Sequence, residues 1–135
     1  MWMLVIFIAS TELFSGSNTS RIIGPILRWF NPAITQESIG FIQLIVRKCA
    51  HFTEYAILAQ LTLQALRRSR NMIGWSWYLA CWAWGIATVY AMTDEFHQTF
   101  VNSRMGSPVD VLIDSVGAAF GLWLCWYIGR LRKKW

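Results

Sequence analysis

The sequence predicts an all-α integral membrane bundle of four transmembrane helices, with both termini cytoplasmic and a short amphipathic interfacial helix between the first two spans. Three observations carry this. Of 135 residues, 56% are hydrophobic and 14% charged, with nine Trp and a mean hydropathy of +0.39, which leaves too little polar surface to coat a water-soluble domain. Apolar stretches at about 41–66, 72–93 and 111–129 meet or approach the roughly 20 residues that a helix needs to cross a bilayer core. Basic residues gather at Arg67, Arg68 and Arg70 and again at Arg130, Arg132, Lys133 and Lys134, two sites separated by an even number of crossings, as the cytoplasmic bias of Lys and Arg requires.

The elements follow in order. Residues 1–14 open with nine apolar positions and then reach Ser10, Thr11 and Glu12, so they are read as a short first span. No basic residue precedes that run and no small-residue cleavage site is evident, which argues against a removable signal peptide. Ser15, Gly16, Ser17 and Asn18 read as a turn, and Arg21 to Phe30 as a short amphipathic helix lying in the outer interface. Thr35 to Glu37 can begin the second long helix, because an acidic residue in the first turn suits the helix dipole. Trp75, Trp77, Tyr78, Trp126 and Tyr127 sit where interfacial anchors are expected. Cys49, Cys81 and Cys125 show no Cys-x-x-Cys spacing and are read as packing residues. The chain is one membrane domain, 1–135, and no nucleic-acid partner is expected of it.

Against this apolar background the ionisable residues are conspicuous. Charged groups at membrane depth are costly and persist mainly where they face a protein interior or a wet cavity. On the second span Arg47, His51, Glu54, Tyr55 and Leu58 recur at spacings of three and four and so share a face. The third span ends in Asp94, Glu95, Phe96, His97 and Gln98; if the helix persists, Asp94 shares a face with His97 and Gln98. The connection that follows carries Arg104, Gly106 and Ser107 before Asp110 and Asp114, one helical turn apart, and Gly117 and Gly121 continue that face. A Gly-x-x-x-Gly pair lets a neighbouring helix approach closely, so the aspartates point inward, and all these groups fall toward the extracytoplasmic half.

The string Arg47, Lys48, Cys49, Ala50, His51, Phe52, Thr53, Glu54, Tyr55, then Asp94, Glu95, Phe96, His97, Gln98, then Arg104, Gly106, Ser107, Asp110, Asp114 and Gly117 resembles the VanZ-like family of small bacterial membrane proteins. The resemblance spans about residues 14–121, with several separate motifs in order. It implies a four-span protein of the bacterial inner (cytoplasmic) membrane with a cell-envelope role, in a family named for a protein of glycopeptide-resistance clusters that gives modest teicoplanin resistance; it supplies no reaction.

Several chemistries fit the same residues. His51, Glu54, Asp94 and His97, with Asp110 or Asp114, are ligand types for a divalent metal, and His-x-x-Glu with Asp-x-x-His would put two ligands on each of two helices. Alternatively, Arg47, Lys48 and Arg104 neutralise the acids in an ion-pair network that locks the spans together. As catalytic groups, His51, Glu54, Asp94, His97 and Asp114 provide carboxylate-oriented general bases, while Arg47, Lys48 and Arg104, with Tyr55, Glu95, Gln98, Ser107 and Asp110, could hold a phosphate or carboxylate. A polar site half-sunk in the outer leaflet suits a lipid or a lipid-linked envelope component, whether bound or chemically altered. No Gly-x-Ser-x-Gly elbow or phosphate loop is present, and no acids continue below Glu54 and Asp114, which counts against a transporter. A non-enzymatic membrane scaffold or binding protein is the competing reading.

Overall fold

A computed structural model describes residues 1–9, 16–100 and 107–132, with backbone alone at residues 9 and 16–22. The described residues form five helices: α1 (Trp2–Ala9), α2 (Gly16–Phe30), α3 (Gln36–Ser69), α4 (Trp77–Gln98) and α5 (Pro108–Leu131). Among them one, Pro108–Leu131, is long and apolar enough to cross a membrane. The polar groups of α3, and the Trp, Tyr and terminal acids of α4, make those two less apolar.

Local chemistry sets each boundary. The Thr35 hydroxyl caps α3 by accepting from the Ser38 amide at 3.2 Å, and Glu37 lies in its first turn, where the helix dipole favours an acid. At 34 residues, α3 is about 50 Å long, well beyond the ~30 Å of a bilayer core. It ends where Asn71 takes a positive φ of 49°, with the Asn71 amide bonded to the Arg68 carbonyl and the Met72 amide to that of Arg67. That pairing is a Schellman motif with Asn in the left-handed position. The next helix was expected from residue 72, yet it starts at Trp77, capped by the Ser76 hydroxyl. The apolar pair Met72–Ile73 lies in the turn instead, with Ile73 fully exposed, because Asn71 and Gly74, at φ 94°, both leave helical backbone. Arg67 and Arg68 accordingly belong to the last turn of α3 rather than to the loop. Pro108, at the start of α5, suits a first helical turn.

One expectation at the N-terminal end needs correction. The turn expected at 15–18 is helical from Gly16, so α2 spans 15 residues and is longer than the stretch from Arg21 that amphipathicity alone marked out. The stretch read as a short first span contains an eight-residue helix, which rises only about 12 Å; residues 10–15 lie outside the described part. Two tethers dock α1 on the bundle. Trp2 Nε1 donates to the Glu54 carbonyl at 3.1 Å and the Tyr90 hydroxyl donates to the Met3 carbonyl at 2.7 Å, with Ile6 fully buried between.

The core lies among α3, α4 and α5. Gly117 and Gly121 of α5 rest on the backbone of Phe52 and Ala56 of α3, and the matched spacing of these contacts shows that the two helices run parallel. Helix α4 runs antiparallel to α5: Trp84 Nε1 donates to the Ser115 carbonyl at 3.0 Å, while Glu95 meets Ser107 further along. It presents a ridge of Ala80, Ala83, Ala87 and Ala91, all buried. Small residues thus bring three backbones close together. Beside this apolar core, buried polar groups coexist with large apolar side chains on the outside. His51, Asp94, Glu95, Gln98, Asp110 and Asp114 are buried, whereas Trp82, Val89, Leu112, Val116, Phe120 and Trp123 are exposed. The three cysteines are free thiols.

Candidate polar site at the α3–α4–α5 junction

The buried polar residues collect where the middle of α3, the end of α4 and the start of α5 meet. Each helix delivers its groups by continuing a small-residue face. On α5, Asp110 and Asp114 extend the face of Gly117, Ala118 and Gly121; on α4, the alanine ridge ends four residues beyond Ala91 at Glu95, with Asp94 and Gln98 beside it. On α3, His51 and Tyr55 lie one turn apart above buried Leu58, Ala59 and Leu63.

The site has layers. At its mouth Lys48 Nζ pairs with Asp110 Oδ1, and Arg47 Nη2 lies 3.6 Å from Asp110 Oδ2; both cations are about one third exposed. One carboxylate facing two cations leaves a net positive charge at the rim. Next inward, His51 Nδ1 stands 3.6 Å from Asp114 Oδ1, with the Asp114 side chain fully buried. That separation is too long for a hydrogen bond, and neither His51 Nδ1 nor either Asp114 oxygen has a hydrogen-bond partner among the described residues. Beside them Glu95 is held firmly: Oε2 accepts from the Ser107 amide at 2.8 Å and Oε1 from Gln98 Nε2 at 3.2 Å, and the same Gln98 nitrogen donates to Asp94 Oδ2 at 3.1 Å. Deepest is Tyr55, fully buried, its hydroxyl without a hydrogen-bond partner among the described residues and within electrostatic range of Asp94 and Asp114.

The arrangement redistributes the roles expected from spacing. Glu54 is half-buried and its backbone carbonyl receives Trp2. The His97 ring packs against Phe7 of α1, with centroids 4.7 Å apart. Two ligands on each of two helices, His51 with Glu54 and Asp94 with His97, is therefore not what converges. One residue from each of three helices does: His51, Glu95 and Asp114 offer ligand atoms all within 4.8 Å of one another. A three-residue step on a helix turns a side chain by about 60° from its predecessor's direction, and on α4 this is enough to set His97 against Phe7 of α1. Spacing undervalued Glu95; the four-residue rhythm Ala83, Ala87, Ala91, Glu95 is the signal that could have found it. Ser107 contributes its backbone amide, and Arg104 and Gly106 lie outside the described residues.

Chemically, the trio combines an imidazole able to exchange a proton with two carboxylates in a water-poor setting. Among the described residues no Lys or Arg pairs with Glu95 or Asp114, since both nearby cations go to Asp110. No curated protein and no solved structure matches the chain. A family model described as VanZ/LLP1 matches residues 1–130, nearly the whole length, and the chain belongs to the VanZ/LLP1 family.

Proposed function

We propose that the protein is a four-span protein of the bacterial inner membrane, both termini cytoplasmic, whose polar site takes the anionic head group of a lipid-linked cell-envelope component from the outer leaflet. The glycopeptide-resistance setting of the family resemblance is the context for this role. The observation that carries the reading is the pairing of a net-positive rim, Arg47 and Lys48 around Asp110, with the buried His51, Glu95 and Asp114 behind it, all within helices whose outward faces are apolar.

Depth supports it. His51 precedes Arg67 on α3 by the same number of residues as Asp114 precedes Arg130 on α5. At 1.5 Å per residue both polar groups stand about 24 Å from the basic ends, which the positive-inside bias assigns to the cytoplasm. A polar head could sit at the rim, its phosphate on Arg47 and Lys48 by charge-assisted hydrogen bonds, while its chain stays in the bilayer alongside Leu112 and Val116. His51 with Asp114 and Glu95 would then face the head group.

Native mass spectrometry of detergent-purified protein titrated with a polyprenyl phosphate, with phosphatidylglycerol as the competitor, tests the reading. The expected result is one polyprenyl phosphate per chain, with Lys48→Gln weakening it by about tenfold, the equivalent of ~1.4 kcal/mol. Equal binding of both lipids, unchanged by Lys48→Gln, would leave a structural ion-pair network as the function of these charges.

A further inference from the structure

We propose that His51, Glu95 and Asp114 form a binding site for one divalent transition-metal cation, a role that does not depend on which head group the rim accepts. The three side chains come from three different helices, all are buried, and their ligand atoms lie within 4.8 Å of one another. A cation held at 2.0–2.6 Å from its ligands places them at most about 4–5 Å apart, so small side-chain rotations close the shell.

Asp114 supplies the independent sign. It is fully buried, yet neither of its oxygens has a hydrogen-bond partner among the described residues, and His51 Nδ1, facing it, is in the same state. Buried polar atoms are ordinarily satisfied, and an ionised carboxylate left so is among the costliest groups to bury. Two carboxylates and a divalent cation sum to zero charge, and the imidazole completes the set as a neutral ligand. Glu95, by contrast, is already oriented by the Ser107 amide and Gln98, as supporting contacts orient metal ligands elsewhere. An imidazole among carboxylates favours Zn²⁺ or Mn²⁺ over Mg²⁺ or Ca²⁺. Three protein ligands leave a coordination position open, as at metal sites that do chemistry.

The test uses the full chain, tag-free in detergent and stripped with chelator, titrated separately with Zn²⁺ by calorimetry and Mn²⁺ by electron paramagnetic resonance, in the absence of added lipid. One equivalent should bind, Glu95→Gln should weaken it by about 10- to 100-fold, and the Mn²⁺ signal should show nitrogen coupling that His51→Ala abolishes and His97→Ala preserves. If a variant fails to fold, nitrogen coupling in the wild-type chain and in His97→Ala decides alone. No saturable one-to-one binding of either ion, or binding that Glu95→Gln and His51→Ala leave unchanged, overturns the assignment. Lipid binding is measured separately, so either conclusion can fail without the other.

Discussion

Replacing Gly121 with Ala should push α5 away from α3, and the structure gives the size of the effect. A Cβ at residue 121 would stand 2.5 Å from the Ala56 carbonyl oxygen, 2.8 Å from its Cα and 2.9 Å from its carbonyl carbon, against an ordinary contact range of 3.4–4 Å. All three atoms are backbone, so no side-chain rotation relieves the overlap and the helices must part by most of an ångström. Overpacking of this kind costs about 1–3 kcal/mol, and replacing a helical glycine returns about 1 kcal/mol. The net loss is then up to about 2 kcal/mol. Gly85, in α4, is the control, because a Cβ there meets nothing within 4 Å; Gly85→Ala should gain up to about 1 kcal/mol from helix propensity. Thermal unfolding in one detergent, followed by circular dichroism, should separate the two variants by roughly 5–10 °C. Gly117→Ala overlaps the Phe52 backbone on the same face, so one retreat of α5 relieves both, and the double variant should cost less than the sum of the single ones. The same retreat widens the 3.6 Å gap between His51 and Asp114. A Gly121→Ala protein as stable as Gly85→Ala would refute the close α3–α5 packing on which the site depends.

Gln98→Leu removes the one donor shared by Asp94 and Glu95 and should cost about 1–3 kcal/mol, read as a lower melting temperature with the helical signal retained. Tyr90→Phe removes the bond to the Met3 carbonyl and should cost about 1 kcal/mol or less globally; combined with Trp2→Phe, which removes the bond to the Glu54 carbonyl, it should speed amide exchange in α1 while leaving α5 protected. Lys48→Gln leaves the buried Asp110 carboxylate with Arg47 alone, 3.6 Å away, and should cost about 1–3 kcal/mol, so its anionic-lipid affinity is compared at a temperature where circular dichroism shows the variant folded.

Much of this was legible in the residues. Three long helices followed from apolar stretches of span length, and the inward face of α5 followed from Asp110, Asp114, Gly117 and Gly121, because a helix that must touch another backbone shows it as small residues at four-residue spacing. The start of α4 was not legible, since Met72 and Ile73 look like the beginning of an apolar helix, and only the left-handed backbone at Asn71 removes them from it. Nor was the membership of the site. Helical spacing tells which residues share a face but not which neighbour that face meets. His97 shares a face with Asp94 by spacing, yet its ring lies against Phe7 of α1, and Trp2 of α1 reaches the backbone carbonyl of Glu54. Glu95 takes its place because Ser107, across the connection to α5, supplies an amide to fix it, a contact between residues that no local pattern links.

The central claim is that the buried polar residues form a ligand site rather than a lock between helices, and the measurement closest to it is native mass spectrometry with metal analysis on gently extracted protein beside an Asp114→Asn variant, each also melted. The expected result is a bound metal or lipid on the starting chain that is absent from a variant that remains folded. Nothing bound to either form, together with a variant that melts far lower, would contradict it and leave His51, Glu95 and Asp114 as a structural network.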